Sequence, residues 1–170
     1  DRVEEAVDCT SEVVEHNPRH APAWYLHASM LAIIGQYEEA LAAYERAIAL
    51  RPHNPTAYIG MGHLLKTLGR QAEGIAAYRS AIEQQPDFAE VYWSLANLKT
   101  FRFSQADVAA MRVQLQRGDL AQDDRFHFHF SLGKAEEDAK DYADSFHHYA
   151  EGNRLRKEVV PYDSDTVSES

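Results

Sequence analysis

Pro18, Pro52 and Pro86 stand 34 residues apart, and each follows a stretch whose apolar residues recur at helical spacing. A proline has no backbone N–H and clashes with the preceding turn, so each one marks the end of a helix. Lining up Glu5-Ala6, Glu39-Ala40 and Glu73-Gly74 puts Thr10, Tyr44 and Tyr78 in one column and Val13, Ala47 and Ala81 in the next. A chain with this period folds as a stack of like units, each covering its neighbour's apolar face. Such a stack offers a surface for binding rather than a pocket for chemistry.

Each period reads as two amphipathic helices. Trp24, Ala28, Leu31 and Ile34 mark the first of a pair, and Tyr37, Leu41, Tyr44, Ile48 and Leu50 the second. The next copy runs through Tyr58, Met61, Gly62, Leu65 and Leu68, then Ile75, Tyr78, Ala81 and Ile82. Gly35 and Gly69, again 34 apart, tolerate the left-handed conformation that ends a helix and mark the turn within each pair. Small residues form two columns, Ala28, Gly62, Ala96 and Gly133 in one and Ala40 and Gly74 in the other. They let crossing helices approach while a large ring fills the space beside them.

The period lapses in the third unit. Its first helix is expected from 89 to about 101, but the small residue, the aromatic and the proline expected afterwards are Val108, Arg112 and nothing. Ser104, three residues before Asp107, reads as a helix N-cap. An exit loop is expected over 117–124. The fourth unit recovers the pattern through Tyr142, Ser145, Tyr149 and Gly152. At the other end, 2–16 matches only the second helix of a pair, and the apolar face left without its partner predicts end-to-end self-association.

These columns resemble the tetratricopeptide repeat, with its pattern W-x2-L-G-x2-Y, A-x3-F and P over 34 residues. Trp24, Ala28 and Leu31, then Tyr58, Gly62 and Leu65, fill its first slots. Tyr92 and Ala96, then His129 and Gly133, fill them again, while Ala40, Tyr44 and Pro52, and Gly74, Tyr78 and Pro86, fill the later ones. The resemblance implies an all-α superhelix, an α–α solenoid of stacked antiparallel helix hairpins with the third repeat distorted. The expected domain spans 1–158, with an orphan helix in 1–20 and repeats at 21–54, 55–88, 89–125 (degenerate) and 126–158. A linker or disordered tail follows at 159–170.

Tyr92-Trp93-Ser94-Leu95-Ala96-Asn97, Phe130-Ser131-Leu132-Gly133-Lys134-Ala135 and His148-Tyr149-Ala150-Glu151-Gly152-Asn153-Arg154 carry a narrower likeness. They resemble the segment ahead of the catalytic domain in bacterial tetratricopeptide-repeat sulfotransferase fusion proteins, with Val160-Pro161-Tyr162-Asp163 as the joint. That resemblance implies a partner-recruiting region of a larger protein whose C-terminal domain does the chemistry. The first residue is not Met, which fits a piece of a longer chain. A freestanding adaptor with no enzyme attached is the alternative.

In this family the first helix of each repeat lines the concave side, so the resemblance places a peptide-binding groove at Tyr25, Ser29, Ile59, His63, Lys66, Trp93, Asn97, Phe130 and Lys134. Trp93 stands beside the packing ring of Tyr92 and is read either as an exposed binding ring or as a cover for the degenerate third repeat. Asn97, His63, Lys66 and Lys134 suit an extended peptide of acidic or carbonyl-rich character, although Lys66 and Lys134 also fit a solvated helix face. Tyr25 and Ser29 stand where chaperone-tail clamps carry Lys and Asn, which argues against that ligand.

Catalysis and metal binding find little support. His127 and His129 lie two apart and would point about 200 degrees apart on a helix, so they cannot share one metal. His147 and His148 are splayed as well, and there is no nucleophile turn, phosphate loop or cofactor motif. A formal net charge of −10 disfavours nucleic acid and anionic membrane as partners. One cysteine, Cys9, excludes an intrachain disulfide. No apolar run spans a bilayer, and the expected compartment is the cytoplasm.

Overall fold

The structure, a computed structural model, describes residues 1–159, and all regular structure among them is helical. The helices are α1 (Arg2–His16), α2 (Ala21–Ile33), α3 (Tyr37–Leu50), α4 (Pro55–Thr67), α5 (Gln71–Gln84), α6 (Ala89–Ala96), α7 (Gln105–Leu115), α8 (Gln122–Asp138) and α9 (Tyr142–Val159). They form two compact units, Asp1–Pro86 and Asp87 onward, divided at the last of the spaced prolines. The expected joint at Val160 to Asp163 and the rest of the expected tail lie outside the described residues.

In the first unit the period is written into the helix ends. Asn17, Arg51 and Gln85 cap α1, α3 and α5 with φ of −133°, −138° and −140°, each donating its N–H to the carbonyl four residues back, and the proline follows at once. Gly35 and Gly69 turn α2 into α3 and α4 into α5 with φ of 82° and 75°. At the other helix starts, His20 and Asn54 accept the N–H of Ala23 and Ala57 through their side chains. Gln84 clips the unit shut: its Nε2 donates to the Pro52 carbonyl and its Oε1 accepts from the Asn54 N–H, each at 2.8 Å.

The core of this unit joins Ala28, Leu31, Ala40, Leu41, Tyr44, Leu64 and Leu65. Helix α4 threads between two tyrosines. A Cβ on Gly60 would lie 2.7 Å from the ring of Tyr44 on α3, and one on Gly62 would lie 2.6 Å from the ring of Tyr78 on α5. The small-residue column is thus a set of seats for rings, as the sequence suggests for Gly62; Gly60 is a second seat.

The second unit departs from the pattern. Helix α6 stops at Ala96, short of the expected 101: Asn97 still donates its N–H to the Trp93 carbonyl, as its Nδ2 does at 2.9 Å, but Leu98 donates to the carbonyl of Leu95, three residues back and not four. The chain then lays Phe103 near Tyr92, ring centroids 6.4 Å apart, and Phe101 edge-on to Phe103 at 5.0 Å. Ser104 caps α7 as its spacing predicts: its Oγ accepts the N–H of Asp107, and Asp107 Oδ2 accepts the N–H of Ser104 at 2.8 Å.

Helix α6 packs against α8, and α7 packs against α8 as well; α6 and α7 do not form the close pair seen in α2–α3, α4–α5 and α8–α9. The exit loop is shorter than the expected 117–124, since α8 already begins at Gln122. Asp123 and Asp124 in its first turn favour that start, and Arg125 holds the loop by donating to the carbonyls of Leu115 and Arg117. Tyr92, Phe128, Leu132, Met111 and Leu95 make the buried centre of this unit. Gly133 seats the ring of Tyr149 and Gly152 that of Phe130, while Ser145 Oγ donates to the Gly133 carbonyl at 2.8 Å in the buried crossing of α8 and α9.

Candidate functional site

The expected groove residues of the first unit serve the fold to different degrees. Ile59 is 6% exposed and belongs to the core, so it presents no face to a ligand; the apolar side of α4 outweighs the family register at that position. Ser29 Oγ lies 3.2 Å from the hydroxyl of Tyr44, and His63 Nδ1 lies 2.7 Å from the hydroxyl of Tyr78. These bonds repeat with the 34-residue period and hold the hydroxyl ends of the two seated rings. Tyr25 lies beside Tyr44 at 6.0 Å, and Lys66 is exposed.

In the second unit the residues around Trp93 assemble a recognisable surface. Trp93 is 39% exposed on α6 and stacks on His127 of α8, with centroids 5.1 Å apart and planes at 29°. Phe126 lies edge-on to His127 and 4.6 Å from Phe130, and the guanidinium of Arg156 sits 5.7 Å above the Phe126 ring. Trp93, Phe126, His127 and Arg156 border an open hollow of about 350 Å³ that Asp123, Leu155 and Val159 also line. His127 Nδ1 is enclosed there with no hydrogen-bond partner. Burial lowers the His127 pKa, while Glu90, Asp124 and Asp123 oppose that shift, so the ring is a neutral hydrogen-bonding group in an aromatic wall.

Of the other expected residues, Phe130 packs under this wall against Tyr149, centroids 5.6 Å apart. Lys134 Nζ is bound to Asp138 at 2.6 Å, and the Asn97 amide is turned back on the Trp93 carbonyl. The structure therefore joins Trp93 to Phe130 through Phe126 and His127, and it engages Asn97 and Lys134 elsewhere. Phe126, His127, Leu155 and Arg156 were the residues missed. The Phe126 to Phe130 alternation is visible in the sequence, but on a helix it signals two faces: His127 meets Trp93, whereas Phe128 is buried.

His129 faces the opposite partner. Its Nδ1 is 3.0 Å from Nδ1 of His148, whose Nε2 lies 3.5 Å from Glu136 Oε1. The arrangement that leaves each group a partner has His129 donating to His148 and His148 donating toward Glu136. Burial, reinforced by His148, pushes His129 down to about 4. Among the described residues no group of three or more His, Cys, Asp or Glu side chains converges on a metal position, and no helix is long and apolar enough to cross a membrane.

Residues 28–69 match the family model described as TPR repeat, and residues 55–88 match the one described as tetratricopeptide repeat. No curated protein matches the chain. Among solved structures, a crystal structure of MamA is 15% identical, covers 94% of this chain and 92% of its own, and superposes with a TM-score of 0.70. MamA from Desulfovibrio magneticus RS-1, residues 41 to the end, is 18% identical over 92% of this chain and 86% of its own, with a TM-score of 0.65. The likeness is one of fold, and with the matched repeats it places the all-α hairpins of this chain in the tetratricopeptide-repeat architecture.

Proposed function

We propose that this chain, built on tetratricopeptide repeats, is a non-catalytic protein–protein interaction scaffold that holds a polypeptide partner at Trp93. The observation that carries the proposal is the Trp93 ring, exposed over a hollow of about 350 Å³ yet stabilised from behind by His127. A ring held in place before binding loses little freedom on association, and aromatic and Arg side chains beside a desolvated pocket are the usual anchors of such contacts. Leu155 and Val159 favour an apolar side chain in the hollow, and Arg156 offers a polar contact beside it.

A display library of random dodecamer peptides selected on the parent protein tests this. The expected outcome is a set of peptides sharing an aromatic or aliphatic anchor, whose affinity falls at least tenfold for Trp93→Ala while the melting temperature stays within a few degrees. Peptides bound equally by parent and variant would remove Trp93 from the site.

The finer reading makes this scaffold the cytoplasmic substrate-recruiting region of a bacterial sulfotransferase-like protein, with the catalytic domain of the parent as a second partner. Its support is the run of residues around Trp93, Gly133 and Gly152 already quoted. Self-association through α1, whose Val13 is 45% exposed, belongs to the same proposal. A freestanding adaptor shares the binding site and lacks the attached domain. The residues that follow in the parent gene product separate the two: a strand leading into a phosphate-binding loop favours the fusion, and further repeats sink it.

A further inference from the structure

The two tryptophans differ in what holds them. Trp24 donates its indole N–H to the Pro18 carbonyl at 2.9 Å, whereas the Trp93 N–H has no hydrogen-bond partner among the described residues. His127 covers one face of the Trp93 ring, so the exposed surface of that ring is its other face and its edge. In the same hollow Asp123 is exposed and takes part in no hydrogen bond or ion pair among the described residues. Glu90 and Asp124 add negative charge around His127. Arg156, which also lines the hollow, lies over the Phe126 ring and makes no ion pair with Asp123.

We propose that the Trp93 hollow binds an arginine side chain of the polypeptide partner, its guanidinium laid on the free face of the indole and paired with the Asp123 carboxylate. This rests on the reading of Trp93 as a partner contact and names the chemistry of that partner. The face of an indole attracts a cation, and the same unit already holds one ring in this way, Phe126 under Arg156. Arginine suits the site better than lysine, because its planar group stacks on a ring and neither oxygen of Asp123 is engaged, which leaves room for a fork of two N–H donors. Leu155 and Val159 remain for its methylene stem and for an apolar neighbour in the partner. A formal net charge of −10 on the chain also favours the approach of a basic segment. The acidic peptide expected around Lys134 has no free cation there, since Lys134 is bound to Asp138.

The test is a nuclear magnetic resonance titration of the whole chain, read at the Trp93 indole N–H, with three probes. They are acetyl-Gly-Leu-Arg-Gly-amide, the counterpart in which neutral citrulline replaces arginine, and free argininamide. The arginine peptide is expected to shift the signal saturably and to bind about fivefold or more tighter than the citrulline peptide. Asp123→Asn should bring the arginine peptide down to the citrulline level. Should that variant fail to fold, salt gives a second measurement: added sodium chloride should weaken the arginine peptide and leave the citrulline peptide unchanged. Equal binding of the two peptides, parent-like binding by folded Asp123→Asn, or salt-independent binding of the arginine peptide overturns the proposal and leaves Trp93 a contact. Absence of a saturable shift with the arginine peptide overturns it too, as does argininamide binding just as tightly, which would assign the hollow to small guanidinium compounds. The wider reading fails by a different result, library-selected peptides that bind Trp93→Ala as well as the parent.

Discussion

Lys140 turns α8 into α9 with a φ of 63°, in the position that Gly35 and Gly69 occupy in the first unit. A side chain in the left-handed region places its Cβ too near the following carbonyl, so this turn carries strain that the glycine turns do not. Lys140→Gly is therefore expected to raise stability by about 0.5–1 kcal/mol, read from the urea midpoint. The opposite lesson applies at Gly62, whose added Cβ would meet the ring of Tyr78 at 2.6 Å. That ring is fully buried and cannot swing aside. Gly62→Ala should cost about 1–3 kcal/mol, and the cost should shrink in a Tyr78→Leu background, because the penalty belongs to the pair and not to the helix.

At the scale of the element, the α8–α9 hairpin carries a built-in pH dependence. His129 is held at about 4 in the folded chain against an ordinary value of 6.5, so the unfolded chain takes up a proton that the folded one refuses. The stability owed to neutral His129 is whole above pH 6.5 and is lost as pH falls from there towards about 4. His127 and His148, both lowered chiefly by burial, act in the same direction. Glu151, Glu136 and Asp144 oppose the shifts, and Arg125, Arg112 and His147 add to them. Urea midpoints at pH 7, 5.5 and 4.5 should decline, and His129→Phe, which restores a ring to that slot, should decline less steeply. The sequence places His129 in a packing slot but does not reveal its partner, because His148 lies on the next helix and the meeting depends on how the two helices cross.

For the whole molecule, the legible part of the sequence was whatever repeats. Caps at Asn17, Arg51 and Gln85, the turns at Gly35 and Gly69 and the ring seat at Gly62 follow from local chemistry stamped three times or twice. The lapse at 97–121 was legible only as a lapse. Where the apolar face of α6 goes depends on α8, a distant stretch of chain. The hollow at Trp93 shares that difficulty: Trp93, His127 and Leu155 come from three helices, and no periodic pattern announces that they meet.

The docking of α6 on α8 across residues 97–121 also has a kinetic meaning. Helices α8 and α9 meet through a turn of a few residues, whereas α6 reaches α8 only after a long segment has been closed, and the entropy of that closure comes before any contact rewards it. The α8–α9 hairpin should therefore form first in the second unit, with α6 joining late. Amide exchange followed by mass spectrometry should find α6 opening sooner than α8, and uniform protection across the two would contradict this order. If Trp93 is the contact proposed above, the indole rides on the element expected to dock last, so occupancy of its hollow should slow the opening of the unit as a whole.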